Sequence, residues 1–124
     1  MNDTEYDGQL SESHCKLEDG MVVFRITGPV DDALGITLEA CGTKFLDEDA
    51  ADRVLIDLSG SSSFSVKSRI RWVGFLKHPR IYRAAIFGGE PLVRVLANVM
   101  IKLSQRKNIQ YFQSEESARS WLVS

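Results

Sequence analysis

The chain has 124 residues, of which 44% are hydrophobic and 26% are charged, and its formal net charge is −2. This length predicts one domain with a single buried core, and the composition excludes a wholly disordered chain. No stretch approaches the roughly 18–20 uncharged apolar residues of a membrane-spanning helix, so no transmembrane segment is expected.

The front of the chain predicts an arm followed by a β-hairpin. Residues 1–10 are polar and acidic, and we expect a flexible N-terminal arm there, with a single domain over residues 11–124. The pair Asp19–Gly20 lies between two extended stretches and can supply the positive φ angles of a tight hairpin turn. The strand that follows is expected to end at the pair Gly28–Pro29.

A helix and a central strand are predicted next. Asp31 or Asp32 can cap the helix, whose apolar stripe recurs at helical spacing. The run Val54–Leu58 is typical of a strand that is buried on both faces. The serines at 61–63 then predict a flexible turn. The residues of the helical stripe are Leu34, Leu38, Cys41 and Phe45.

The second half of the chain alternates helices with short strands. The second helix is predicted over 65–77, the third over 91–104 with Pro91 at its first position, and the last begins at the cap residue Ser114. Strands are predicted over 83–87 and 109–112. In the second helix we expect four residues to face the core: Val66, Ile70, Val73 and Leu76.

The resulting order β-β-α-β-α-β-α-β-α predicts an α/β fold with a mixed sheet. An N-terminal antiparallel hairpin is followed by parallel strands joined by helical crossovers, which are right-handed in nearly all proteins. Helices that follow parallel strands begin at the carboxyl edge of the sheet, where α/β proteins tend to bind ligands.

Three stretches resemble the STAS family of sulfate transporters and anti-sigma-factor antagonists. Residues 54–59, VLIDLS, resemble the family's central strand, and residues 84–89, AAIFGG, its next strand. Residues 109–118, IQYFQSEESA, with Trp121 and Leu122, resemble its last strand and helix. The chain is also similar to bacterial stand-alone STAS-like proteins grouped with CRAL-TRIO-like lipid carriers. The resemblance implies a STAS-like fold and a role in protein binding.

The same resemblance implies a candidate phosphoacceptor. In anti-sigma-factor antagonists, the loop after the central strand reads Asp-Ser-Ser-Gly, and a kinase partner phosphorylates a serine at the helix start. The nearest counterpart here is Ser65, with Ser63 second. This chain reads FSVK over residues 64–67, without the aspartate before the serines or the glycine after them.

Charge is distributed unevenly along the chain. Residues 1–57 hold 14 acidic and four basic residues, whereas residues 58–114 hold ten basic residues and the single acid Glu90. The first turns of the second helix carry cations where the helix dipole favours anions. This pattern predicts a site for an acidic protein partner or a small anion, formed by Ser65, Lys67, Arg69, Arg71, Arg80 and Arg83. Two alternatives stay open, which are a phosphoserine switch and a plain N-cap at Ser65.

The third helix is apolar over more of its circumference than one sheet face can cover. Its polar residues Arg94, Asn98 and Lys102 form one narrow stripe. The remaining surface predicts burial under a neighbouring helix, a homodimer contact, or a pocket for an acyl chain or small apolar ligand. The residues concerned are Leu92, Val95, Leu96, Val99, Met100 and Leu103.

No catalytic, metal or cofactor motif is recognisable. The glycines and serines at 60–63 lack the Gly-Lys-Ser/Thr ending of a P-loop, and no Gly-x-Ser-x-Gly elbow is present. Cys15 and Cys41 have no redox or metal spacing and predict two free thiols in the cytoplasm. We therefore expect a non-enzymatic binding or regulatory domain with a protein partner, a homodimeric state and no nucleic-acid ligand. A lipid or small apolar ligand carrier is the alternative.

Overall fold

The computed structural model describes residues 13–124, and the predicted order of elements is confirmed. The predicted arm over residues 1–10 lies outside the described residues. The elements are β1 (His14–Glu18), β2 (Met21–Val30), α1 (Asp32–Asp47), β3 (Arg53–Phe64), α2 (Val66–Leu76), β4 (Arg83–Phe87), α3 (Pro91–Ser104), β5 (Ile109–Phe112) and α4 (Glu115–Leu122).

The strands of residues 13–124 form one sheet in the order β1-β2-β3-β4-β5. β1 and β2 are antiparallel, and Asp19 and Gly20 both adopt positive φ in the turn between them. The later pairs are all parallel, as predicted. Alternate side chains of β2 separate the two faces: Phe24 packs with α1, α2 and α3, whereas Val23 packs with α4.

The serine-rich segment is a strand, so the predicted turn at 61–63 is wrong. β2 does not stop at Gly28–Pro29 but continues to Val30, and Gly28 pairs with Ser61. A register shift between Gly28 and Pro29 accommodates the proline, which has no N–H to donate to a ladder. Val30 and Phe64 are buried at the end of this ribbon. Their burial and the strand pairing outweigh the local turn signals of glycine, proline and serine.

The predicted inward face of α2 is also largely wrong. Val66 and Ile70 are 64% and 67% exposed, and Val73 is half-buried. Of the four predicted residues, only Leu76 is buried. The rest of the buried face is rotated about the helix axis relative to the predicted one, and it carries Ser68, Trp72 and Phe75. The aromatic residues decide the rotation, because two large rings bury more apolar area than two β-branched side chains.

An aromatic cluster joins α2 to the sheet. Phe24 of β2 lies 4.8 Å from Trp72 and 5.4 Å from Phe75 between ring centroids, and all three rings meet edge to face. Gly42 of α1 lies directly on this cluster. A Cβ atom at Gly42 would be 2.5 Å from Cζ of Phe24 and 2.8 Å from Cε1 of Phe75. Helix α1 therefore reaches its packing distance only because residue 42 has no side chain.

Ion pairs link α4 to the face of the sheet that lies opposite α1, α2 and α3. Arg25 of β2 donates to Asp57 at 2.8 Å and to both carboxylate oxygens of Glu115, at 3.0 and 2.9 Å. Arg119 bridges Glu115 and Glu18. Hydrogen bonds from Arg25 and then Arg119 lower the pKa of Glu115 to about 2.

We predict that Gly42→Ala destabilises the protein by ~1–3 kcal/mol, because the new methyl group must displace buried rings. This loss exceeds the gain of up to ~1 kcal/mol in helix propensity. The measurement is urea denaturation followed by circular dichroism. Gly74→Ala in α2 is the matched control, since a Cβ there meets nothing within 4 Å, and it should be neutral or stabilising. A neutral Gly42→Ala would contradict the close packing.

We predict that Glu115→Gln lowers stability at pH 7 by about 1 kcal/mol, near the upper end for exposed pairs because the contact with Arg25 is bidentate. The folded-state pKa lies below the unfolded value of about 4.3, so this stabilisation is present above that value and is lost as the pH falls towards 2. Denaturation midpoints of the two proteins should converge between about pH 5 and pH 2. Glu116→Gln, which removes one negative charge from the same helical turn, is the matched control.

Candidate interaction surface on helices α2 and α3

The N-terminus of α2 is already occupied by a carboxylate. The Ser65 Oγ accepts from the backbone N–H of Ser68 at 3.2 Å, which confirms Ser65 as the N-cap. The same hydroxyl donates to Oδ1 of Asp32 at 2.5 Å. An acid of α1 therefore lies at this helix start, where the sequence of α2 offers none, and an anion bound there would meet the Asp32 carboxylate.

The long ribbon of β2 and β3 explains this contact. Both strands end at the same place, and the backbone N–H of Ser65 donates to the carbonyl of Val30 at 2.9 Å. α1 and α2 thus begin side by side, and their positive ends would repel each other without nearby anions. Asp31 caps α1 through the N–H of Leu34, and Asp32 reaches α2. The adjacent acids Asp31 and Asp32 thus serve two helices.

The cations of α2 differ in what they contact. Arg69 is fixed by a bond from its Nε to the carbonyl of Phe64 at 3.1 Å. Lys67 and Arg71 are exposed, and within the part of the chain that the structure describes they form no ion pair. These three cations are the members of the predicted basic site that remain together on α2.

Arg80 and Arg83 lie at the opposite edge of the sheet, so the structure divides the predicted set of basic residues. α2 runs from the carboxyl edge back to the amino edge, and the residues after it begin β4. There Arg80 pairs with Asp49 at 2.6 Å. The guanidinium of Arg83 lies 4.9 Å from the ring centroid of Trp121 and donates to the carbonyl of that residue. Both side chains stabilise the amino edge.

Helix α3 keeps most of its predicted apolar surface exposed. Leu92, Val95, Val99 and Leu103 are 77%, 60%, 46% and 58% exposed. Leu96 is half-buried, and Met100 is buried in the core beneath the helix. A neighbouring helix therefore does not cover this face within residues 13–124.

The exposed apolar residues of α2 and α3 line a groove between the two helices, which we call the α2–α3 groove. Its main part has a volume of about 400 Å³. A smaller part of about 180 Å³ continues towards the end of β3, and Arg69 and Leu96 line both parts. The other residues of the main part are Ile70, Val73, Lys77, Val99, Met100 and Leu103.

The second candidate phosphoacceptor lies at one end of this groove. Ser63 is exposed on β3 and lines the smaller part together with Ser62 and Phe64. Ser65 is half-buried and does not line the groove. The structure thus separates two serines that are close in sequence.

Ile70, Val73 and Lys77 were not predicted as site residues. Ile70 and Val73 were assigned to the core because they fit an apolar stripe. A second signal is present, since Trp72 and Phe75 define a competing stripe about 140° away around the same helix, at 100° per residue. Choosing the aromatic stripe as the buried face would have placed Ile70 on the surface.

None of the described helices is long and apolar enough to span a membrane. No group of three or more histidine, cysteine, aspartate or glutamate side chains within residues 13–124 is arranged to hold a metal ion.

Solved structures show where the fold occurs. The unphosphorylated form of the anti-sigma factor antagonist SpoIIAA is similar at a TM-score of 0.66 and 14% identity, over 89% of this chain and 98% of that one. The phosphorylated form of the Bacillus cell fate determinant SpoIIAA gives 0.66 and 14%, over 88% and 97%. A DUF3478-family protein from Shewanella loihica PV-4 with a SpoIIAA-like fold gives 0.64 and 18%, over 95% and 89%.

A comparison with curated protein sequences gave no significant match. The predicted link to CRAL-TRIO-like lipid carriers therefore stays a prediction. The family model described as SpoIIAA-like matches residues 21–123, which span the sheet from β2 onwards and all four helices. The chain belongs to the SpoIIAA-like family.

Proposed function

We propose that this protein is a non-enzymatic binding domain that holds an acidic, amphipathic helix of a protein partner in the α2–α3 groove. The observation that carries the proposal is the exposed apolar floor of the groove between cationic helices. The relatives named above include an anti-sigma factor antagonist, and this agrees with a regulatory role through protein contacts.

The dimensions and chemistry of the groove suit a helix. Helix α2 contributes Ile70 and Val73 to the groove, about one turn of apolar surface, and α3 exposes apolar residues along roughly three turns from Leu92 to Leu103. A partner helix can place residues at i, i+3, i+4 and i+7 into such a groove. Removal of these apolar side chains from water supplies affinity, at roughly 25 cal/mol per Å² before the losses of association.

The positive charge around the α2–α3 groove favours an acidic partner over the same groove of a second copy of this chain. Arg69 and Lys77 line the groove, and Lys67, Arg71, Arg94 and Lys102 are exposed on the two helices. Glu90 is the only acid between residues 58 and 114. Two such faces in contact would bring like charges together, whereas glutamates at the rim of a partner helix would find complementary potential.

The surroundings of Ser65 disfavour its phosphorylation. Its hydroxyl already donates to Asp32 and caps α2. A phosphate at this position would add up to two negative charges beside that carboxylate, and like-charge repulsion would disfavour the product. Ser63 is free of this conflict because it is exposed at the end of the groove.

We predict that a synthetic helical peptide with one leucine face and glutamates on both flanks binds the protein, and that the same peptide with lysines in place of glutamates does not. Binding of the labelled peptide is measured by fluorescence anisotropy. Its affinity should fall as the salt concentration rises, because exposed charges are screened. Equal binding of both peptides, or affinity independent of salt, would overturn the charged part of the proposal.

We predict that Val99→Asp weakens binding of the acidic peptide about tenfold or more, which corresponds to ~1.4 kcal/mol. The new carboxylate removes apolar contact and repels the glutamates. Ile36→Asp is the matched control, because Ile36 is 43% exposed on α1 and Val99 is 46% exposed on α3. The control should bind as the unmodified protein does, and equal losses in both variants would contradict a site in the groove.

The apolar ligand carrier is a second candidate function. An apolar void lies under α2, but its volume of about 10 Å³ is that of about one water molecule, so an acyl chain would fit only after side chains move. Its lining is apolar and includes Trp72 and Met100, and Met100 also lines the groove. The indole N–H of Trp72 is buried without a hydrogen-bond partner among the described residues. A ligand that displaces Met100 could offer this donor a carbonyl or carboxylate.

Native mass spectrometry of the gently purified protein distinguishes the two candidates. For a peptide-binding domain we expect the mass of the bare chain. A retained acyl mass that disappears in Met100→Trp, where the larger ring fills the cavity entrance, would favour the carrier. The same spectrum measures the predicted homodimeric state.

A further inference from the structure

Two cysteines that are distant in sequence lie against each other between β1 and α1. Cys15 of β1 is fully buried, and Cys41 of α1 is half-buried. The thiol of Cys41 donates to the backbone carbonyl of Cys15 at 3.7 Å, across a sequence separation of 26 residues. Both side chains pack against the same apolar core cluster. The fold alone brings the pair together.

The surroundings give the two thiols different reactivity. Burial, and next the hydrogen bond to Cys41, raise the pKa of Cys15 above its ordinary value. The hydrogen bond from Cys15 lowers the pKa of Cys41, with support from the charge of Lys44 and against the effect of partial burial. Because the thiolate is the nucleophile in thiol chemistry, Cys41 is the member of the pair that reacts first.

We propose that Cys15 and Cys41 are a thiol–disulfide exchange site that forms a reversible internal disulfide between β1 and α1. The oxidant is a low-molecular-weight disulfide, which reaches the half-exposed Cys41 but not the buried Cys15. The second cysteine is already close to the first, because Sγ of Cys41 lies 3.7 Å from the carbonyl oxygen of Cys15.

The exchange takes two displacement steps. In the first, the thiolate of Cys41 attacks one sulfur of the small disulfide, whose S–S bond breaks, and one small thiolate leaves with the electron pair. In the second, the sulfur of Cys15 attacks the Sγ of Cys41 and expels the other small thiolate. The two cysteine protons pass to the two leaving thiolates. Two cysteine thiols are oxidised by two electrons in total, and one small disulfide is reduced to two thiols.

The bond would tie an edge strand to the helix that packs on it. β1 pairs only with β2 within residues 13–124, and the cross-link would attach it to α1 as well. A disulfide restricts the unfolded chain and so favours the folded state. The pair lies on the β1 side of α1 and does not line the α2–α3 groove. Disulfide formation and partner binding can therefore be tested independently of each other.

The test is equilibration of the whole protein with mixtures of oxidised and reduced glutathione, followed by acid quenching and intact mass measurement. We expect a species that has lost two hydrogen atoms, with a peptide map that joins residue 15 to residue 41. The melting temperature of this species should be higher by roughly 5–10 °C, and dithiothreitol should reverse the increase. A protein that gains only glutathione, or that does not react under conditions that oxidise a control dithiol, would overturn the proposal.

Two variants test the order of the steps. Cys15→Ala should accumulate a stable glutathione adduct on Cys41, because no second thiol resolves it. Cys41→Ala should form no adduct while folded, because Cys15 is fully buried. Glutathionylation of Cys41→Ala at the rate of the Cys15→Ala variant would contradict the assigned roles. If Cys15→Ala does not fold, the time course of the unmodified protein replaces it: the glutathione adduct on Cys41 must precede the internal disulfide.

Discussion

Strands β2 and β3 pair in parallel from Met21 to Val30, beyond the end of β4, and this pairing decides where helices α1 and α2 begin. Both helices start at the end of the same ribbon and are held there by the bond between Ser65 and Val30. Their positive ends lie side by side, so a carboxylate nearby becomes favourable, and Asp32 supplies it. Asp32 thus supplies at this helix start the negative charge that the basic sequence of α2 lacks.

The same geometry exposes the surface on which the proposed function depends. α2 buries Trp72 and Phe75 against Phe24, and Gly42 lets α1 approach the aromatic cluster closely. With its aromatic face inward, α2 presents Ile70 outward beside the apolar face of α3. The groove is thus a consequence of core packing, and its cations are carried by the same two helices. Membership of the SpoIIAA-like family fits a domain whose surface contacts a protein.

Cys15 and Cys41 come from two separate elements, and only the tertiary structure brings them together. Cys41 belongs to the predicted stripe of α1, and Cys15 lies in the first strand of the hairpin. Neither residue has a motif around it, and each alone is an ordinary buried or half-buried thiol. Their contact depends on the register of β1 and on the rotation of α1, which are set by the hairpin turn and by Gly42 respectively.

The sequence itself determined the order of elements, the hairpin turn at Asp19–Gly20, the cap Ser114 and the bounds of α3, because these features depend on residues that are neighbours along the chain. It narrowed the cap of α1 to Asp31 or Asp32 and offered Ser65 as one possible cap of α2, and the structure chose Asp31 and Ser65. Tertiary structure alone decided the extended form of residues 61–63, the buried face of α2 and the separation of Arg80 and Arg83 from the other cations. In each case strand pairing or burial of large side chains, which act between distant residues, outweighed a local preference worth about 1 kcal/mol or less.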